Sequence, residues 1–95
     1  MATYSVNRCK HSTLIVGVVD TINLAEAFSY VRVTNKSNVG VLYVRTDSIN
    51  PTVAGDDTFA VQENSEKNII VPDISAIQVR IISSVAAQYS VEGYS

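Results

Sequence analysis

The chain has 95 residues, 46% of them apolar and 17% charged, with a net charge of −2 and a pI near 5.1. That length suits one domain burying roughly 60–65% of its unfolded surface, and the composition argues against disorder. No basic block is present to meet a nucleic-acid duplex, and no apolar run is long enough to span a bilayer.

Cys9 is the single cysteine, so an intramolecular disulfide is impossible. Met1–Lys10 is polar throughout and lacks a signal-peptide pattern, which makes synthesis in a cytoplasm the expectation. The apolar residues are mainly Val and Ile, set among many Ser and Thr, a composition that favours strands.

Met1–Ser12 offers only Tyr4 and Val6 as anchors. It reads as a frayed terminus or as an N-terminal arm lying on a neighbouring subunit, with residues 13–95 as the folded domain. Thr13–Leu24 is the most apolar run: Leu14, Val16 and Val18 fall on one strand face, Ile15 and Val19 on the other, around Gly17. Burial on both faces predicts a central strand, or one whose outer side meets another chain. Gly17 is then a bulge or a close backbone approach. Asn23-Leu24-Ala25-Glu26 follows as a single turn.

Ser29–Asp47 holds the tripeptide Tyr-Val-Arg twice, at Tyr30–Arg32 and Tyr43–Arg45, separated by turn-forming Lys36-Ser37-Asn38. Both flanks alternate at period two, which reads as a β-hairpin. Val31, Val33, Leu42 and Val44 then face the core. Tyr30 lies across from Arg45 and Arg32 across from Tyr43, two Tyr/Arg pairs on the outer face.

Ser48–Asp57 is the longest loop, punctuated by Pro51 and Gly55. Asp57–Val61 is a short strand with Phe59 and Val61 inward, Gln62–Glu66 a polar turn, and Asn68–Val71 a strand stopped by Pro72-Asp73. Ala76–Ser83 points Ile77, Val79 and Ile81 inward and Gln78, Arg80 and Ile82 outward. Ala86–Glu92 points Ala87, Tyr89 and Val91 inward, and a loop centred on Ser84 makes these two segments a second hairpin. No segment sustains a helical period. The expected fold is all-β, an antiparallel β-sandwich or small jelly-roll-like barrel of seven to eight short strands.

Chemistry-bearing clusters are sparse. Cys9 and His11 share a strand face but have no third partner for nucleophilic or zinc chemistry. Asp47, Asp56 and Asp57 match no EF-hand spacing and suit turns. No catalytic, cofactor-binding or metal-binding residues are therefore assigned. Tyr30, Arg32, Tyr43 and Arg45 are candidate interface residues, because Tyr and Arg are enriched at binding hot spots. Ile15 and Val19 join them as the second face of the apolar run.

Taken together, Asp20–Glu92 resembles small virion proteins of tailed bacteriophages. The likeness is carried by Asp20-Thr21-Ile22-Asn23-Leu24, by Val33-Thr34-Asn35, by Leu42–Arg45 running into Pro51–Asp57, by Val71-Pro72, and by Ile77–Ser83 with Ala87–Gly93. Glu63-Asn64-Ser65 departs from the Pro-Ala-Gly turn of similar chains. The resemblance implies a non-enzymatic capsid decoration or cement protein in the virion. Its partners would be the major capsid protein or other virion proteins. Independently of the resemblance, the apolar residues on both faces of Thr13–Val19 predict a homo-oligomer, such as a trimer, or a monomer that orders this region only on the capsid. A glycan- or surface-binding module on the virion, or a head–tail or tail accessory protein, is the alternative.

Overall fold

The computed structural model describes residues 2–71 and 77–95, which fold into two packed β-sheets. The strands are β1 (Thr3–Val6), β2 (Cys9–Thr13), β3 (Asp20–Leu24), β4 (Tyr30–Asn35), β5 (Leu42–Arg45), β6 (Phe59–Val61), β7 (Glu66–Ile70), β8 (Ile77–Ile82) and β9 (Gln88–Tyr94). One sheet has the order β1-β3-β8-β5-β6 and the other β2-β9-β4-β7.

The pairing is nested. β2 pairs with β9, β3 with β8, β4 with β7 and β5 with β6, all antiparallel. The chain is thus one long hairpin whose tip is the 46–58 loop, wound so that successive strand pairs fall in alternate sheets. Winding adds the β4–β9 and β5–β8 ladders. This is an eight-stranded jelly roll, with β1 added parallel to β3. The all-β sandwich expected from the sequence is the fold.

Both expected hairpins are absent, because β4 and β5 lie in opposite sheets, as do β8 and β9. Tyr30 pairs with Ile70 and Tyr94, Arg32 with Asn68 and Glu92, Tyr43 with Ala60 and Ile82, and Arg45 with Arg80. The two Tyr/Arg pairs therefore do not form. The inward sets do hold: Val31, Val33, Leu42, Val44, Ile77, Val79, Ile81, Ala87, Tyr89 and Val91 are all buried in one core. Strands that cross between sheets aim their apolar faces at the same core as strands that turn back on themselves. Alternation is blind to the difference.

Two buried polar side chains make the crossings work. Asn35, in the inward phase of β4, donates from Nδ2 to the carbonyls of Gly40 (2.9 Å) and Val61 (3.2 Å) and accepts from the Ser37 amide at 3.1 Å. Ser83 follows Ile77, Val79 and Ile81 in phase and donates from Oγ to the Val41 carbonyl at 2.8 Å. Each satisfies backbone groups that lose their ladder where the chain leaves its sheet.

The run Thr13–Leu24 is broken rather than continuous. Residues 14–19 form a connection in which Leu14 and Val19 are buried while Ile15 and Val16 stand out, 62% and 59% exposed. Gly17 adopts the left-handed region at φ 68° and donates to the Ser83 carbonyl at 2.9 Å, so it makes a turn between the sheets. The segment expected as an arm supplies β1 and β2, one edge strand for each sheet. Tyr4 and Ser12 hydroxyls meet at 3.3 Å, and the Lys10 ammonium lies 4.1 Å from the Tyr4 ring centroid, closing that side of the sandwich. Asn23 and Leu24 belong to β3, not to a turn. Phe59 sits on an edge strand, 40% exposed, with the Lys67 ammonium 5.9 Å from its ring centroid, while Ile82 points outward yet is covered. The stop at Pro72-Asp73 lies outside the described residues.

Beneath the end of the four-stranded sheet Tyr89 reaches from β9 to β3 and donates its phenol hydrogen to Asp20 Oδ2 at 2.8 Å. Both residues are buried. Burial, then the adjacent Asp20 carboxylate, hold the Tyr89 phenol far above the ordinary tyrosine range.

Candidate functional site

The four-stranded sheet turns Cys9, His11 and Thr13 of β2, Ser90, Glu92 and Tyr94 of β9, Tyr30, Arg32 and Thr34 of β4, and Glu66, Asn68 and Ile70 of β7 away from the core. One row across this face reads Tyr94, Tyr30, Ile70. The two tyrosine rings stack with centroids 5.3 Å apart and planes 14° from parallel, and the Arg32 guanidinium lies 5.0 Å from the Tyr94 centroid. Arg32 is pinned from the other side by Asn68 Oδ1 and Glu66 Oε2, each at 3.0 Å. Ile70, on the edge strand, is 88% exposed. Aromatic rings, a fixed arginine and a large exposed aliphatic thus share one row and its neighbour, the residue types that dominate binding energy at interfaces.

Tyr43 and Arg45 lie instead on the outer face of the five-stranded sheet, so the four candidate residues divide into two pairs on opposite sides of the molecule. Arg45 and Arg80 are directly opposed, an unfavourable like-charge pairing. The 46–58 loop answers it by folding back over them. Asp47 clasps Arg45 (Nε to Oδ1, 3.0 Å), and Asn50 Oδ1 accepts from Arg80 at 2.6 Å. The hydrogen bond from Arg45 lowers the Asp47 carboxyl to about 2. Asp47 is thereby committed to Arg45. Among the described residues no group of three or more His, Cys, Asp or Glu could hold a metal ion. Val19 is buried and unavailable as a contact, whereas Ile15 projects with Val16 and with Val39, itself 61% exposed, from the connections between the sheets.

At the other end of the four-stranded sheet, six residues along β4 from Tyr30, a polar groove opens. Six residues of strand place it roughly 20 Å from the tyrosine stack. A cavity of about 580 Å³ is lined by Thr13, Lys36, Ser37, Asn38, Asn64, Ala86 and Gln88. A neighbouring one of about 240 Å³ shares Thr13, Lys36 and Gln88 and adds His11 and Ser12 above Tyr89. The Lys36 ammonium and His11 Nδ1 are 3.5 Å apart. Backbone bonds hold the rim: Lys36 N to the Gln88 carbonyl (2.9 Å), Gln88 N to Ser37 Oγ (2.8 Å) and Asn64 N to the Ser37 carbonyl (3.0 Å).

Sequence reasoning placed Tyr30 and Arg32 on a shared outer face but missed Tyr94 and Ile70, whose partnership depends on strand order. It read Lys36-Ser37-Asn38 as a turn only, and the groove arises because that turn meets β2, β9 and the 62–65 turn in space. Comparison with protein-family models, with curated proteins and with solved structures finds no match to this chain.

Proposed function

We propose that the chain is a non-enzymatic structural protein of a tailed-phage virion that decorates or cements the capsid by docking the outer face of its four-stranded sheet on assembled coat protein. The observation that carries the docking is the Tyr94–Tyr30–Ile70 row with Arg32 beside it. These side chains stand on paired strands, so little conformational freedom is lost when they bind. A stable contact buries at least ~1,000 Å² in total, ~500 Å² on each partner. That is about a tenth of the chain's 4887 Å² surface. The virion setting rests on the sequence resemblance of Asp20–Glu92, and a jelly roll is an architecture that viral shells use.

Self-association belongs to the same proposal. Ile15, Val16 and Val39 give neighbouring copies an apolar surface at the loop end, and none of the three lines the polar groove. Repetition over a shell turns a modest single contact into strong retention through avidity. The second reading, a module that binds surface glycans, draws on the Lys36 groove at the far end of the same sheet.

Co-sedimentation with purified capsids tests the docking face. Ile70→Asp introduces a charge at an almost fully exposed position, so the fold should stand while binding falls at least ~10-fold, as for loss of a hot-spot residue. Unchanged co-sedimentation of this variant and of Tyr30→Ala would overturn the assignment.

A further inference from the structure

We propose that the groove beside Lys36 binds an acidic saccharide, with its carboxylate on Lys36 and its ring hydroxyls on Thr13, Ser37, Asn64 and Gln88. The inference concerns the free protein and does not depend on the virion reading. Its first support is charge. No Asp or Glu lines either cavity, and among the described residues Lys36 forms no salt bridge. The Lys36 ammonium stands over the groove with the His11 ring, 3.5 Å away at Nδ1, beside it. Its hydrogens form a donor set whose positive charge no lining carboxylate offsets. A carboxylate completes it.

The neutral groups select the rest of the ligand. Thr13 and Ser37 hydroxyls and the amides of Asn38, Asn64 and Gln88 both donate and accept. Sugar hydroxyls do the same and suit such a lining. A sulfate or a phosphodiester offers only acceptors and would leave the amide oxygens unmatched. A peptide would look for apolar subsites, yet Ala86 is the one apolar residue in the larger cavity. The volume of about 580 Å³ falls within the usual range for small-ligand sites.

The groove is also built before any ligand arrives. Gln88 and Asn64 donate their amides to Ser37, and Lys36 donates to Gln88, which ties two loops and β9 into one rim. Asn64 sits in the left-handed region at φ 52°, a conformation that Asn tolerates better than most residues. Tyr89 lies buried below, so no aromatic ring is offered as a stacking platform. Single-site affinity should accordingly be weak, with a Kd of about 1 mM, and many displayed copies would raise it through avidity.

Amide chemical shifts of the full-length protein decide the matter in titrations with D-glucuronate, D-glucose and acetate. Glucose lacks only the carboxylate of glucuronate, and acetate lacks only the ring. Glucuronate should shift the amides of Ser37, Asn64 and Gln88 saturably, at least ~10-fold more tightly than either control. Lys36→Met should remove the response while leaving distant amides in place, and Lys36→Arg should keep it. An absent or unsaturable response to glucuronate would overturn the proposal. So would an equal response to acetate or to glucose, or full binding by Lys36→Met.

Discussion

Replacing Tyr89 by Phe removes one buried oxygen and leaves the Asp20 carboxylate, 2% exposed, without the phenol that now donates to it at 2.8 Å. A hydrogen bond to a charged group contributes ~1.5–3 kcal/mol, and stranding its buried partner adds a desolvation penalty, so the loss should be about 2–4 kcal/mol. Total stability for a chain of this size is ~5–14 kcal/mol, which makes that a large share. At ~4–8 °C for each kcal/mol, the melting temperature should fall by at least ~8 °C. Urea denaturation and calorimetry at neutral pH on wild type, Tyr89→Phe, Asp20→Asn and the double variant give a cycle whose coupling should exceed ~1 kcal/mol. The phenol adds an alkaline signature. Its folded-state pKa is raised by burial and by Asp20, so its contribution is complete below about pH 10 and lost as pH rises further, when unfolded chains ionise their tyrosine first. Tyr89→Phe should flatten that decline by as much as ~1.4 kcal/mol per pH unit. A Tyr89→Phe loss below ~0.5 kcal/mol with no coupling would refute the reasoning, since that is the range of an unremarkable surface change.

The clasp of Asp47 on Arg45 should survive mild acid: the carboxyl is depressed, so the interaction is present above about pH 4 and lost only as pH falls through about 2. A carboxyl-carbon titration with a midpoint near 4, the ordinary Asp value, would contradict it. Gly93 lies in the inward phase of β9, where an added Cβ would fall 2.4 Å from the ring of buried Phe28. Gly93→Ala should therefore destabilise by ~1–3 kcal/mol in chemical denaturation through overpacking. Cys9 is exposed, and Cys9→Ser should leave the unfolding midpoint within ~0.5 kcal/mol of wild type.

The sequence makes the orientation of most core side chains legible and hides their partners. Val31, Val33, Leu42 and Val44 alternate with Tyr30, Arg32, Tyr43 and Arg45, and the buried set is the predicted one. Period two follows from the pleat, which is local. Pairing is decided by where the chain goes after the strand ends, and Lys36–Val41 suits a hairpin on composition alone. The informative residue was Asn35. A polar side chain in the inward phase, where a third apolar residue would serve a hairpin, serves the backbone at a crossing between sheets. Ser83 carries the same signal after Ile81. The apolar run from Leu14 to Val19 misled because a loop that crosses the top of a core also buries its two ends. Tyr30 and Arg32 could be placed on an outer face, but the row they form with Tyr94 and Ile70 joins residues up to 64 positions apart (94 − 30). The Lys36 groove likewise exists only once β2, β9 and two turns are brought together.

The central claim, attachment to a virion through the Tyr94–Tyr30–Ile70 face, is tested most directly by copy number. Quantitative mass spectrometry of purified phage particles, assembled with the wild-type chain or with Ile70→Asp, measures it in one experiment. The account predicts that the wild-type chain is present in fixed proportion to the coat protein and that the variant falls to near background while remaining folded when purified alone. Particles that lack the wild-type chain, or that hold both forms at equal copy number, would contradict it.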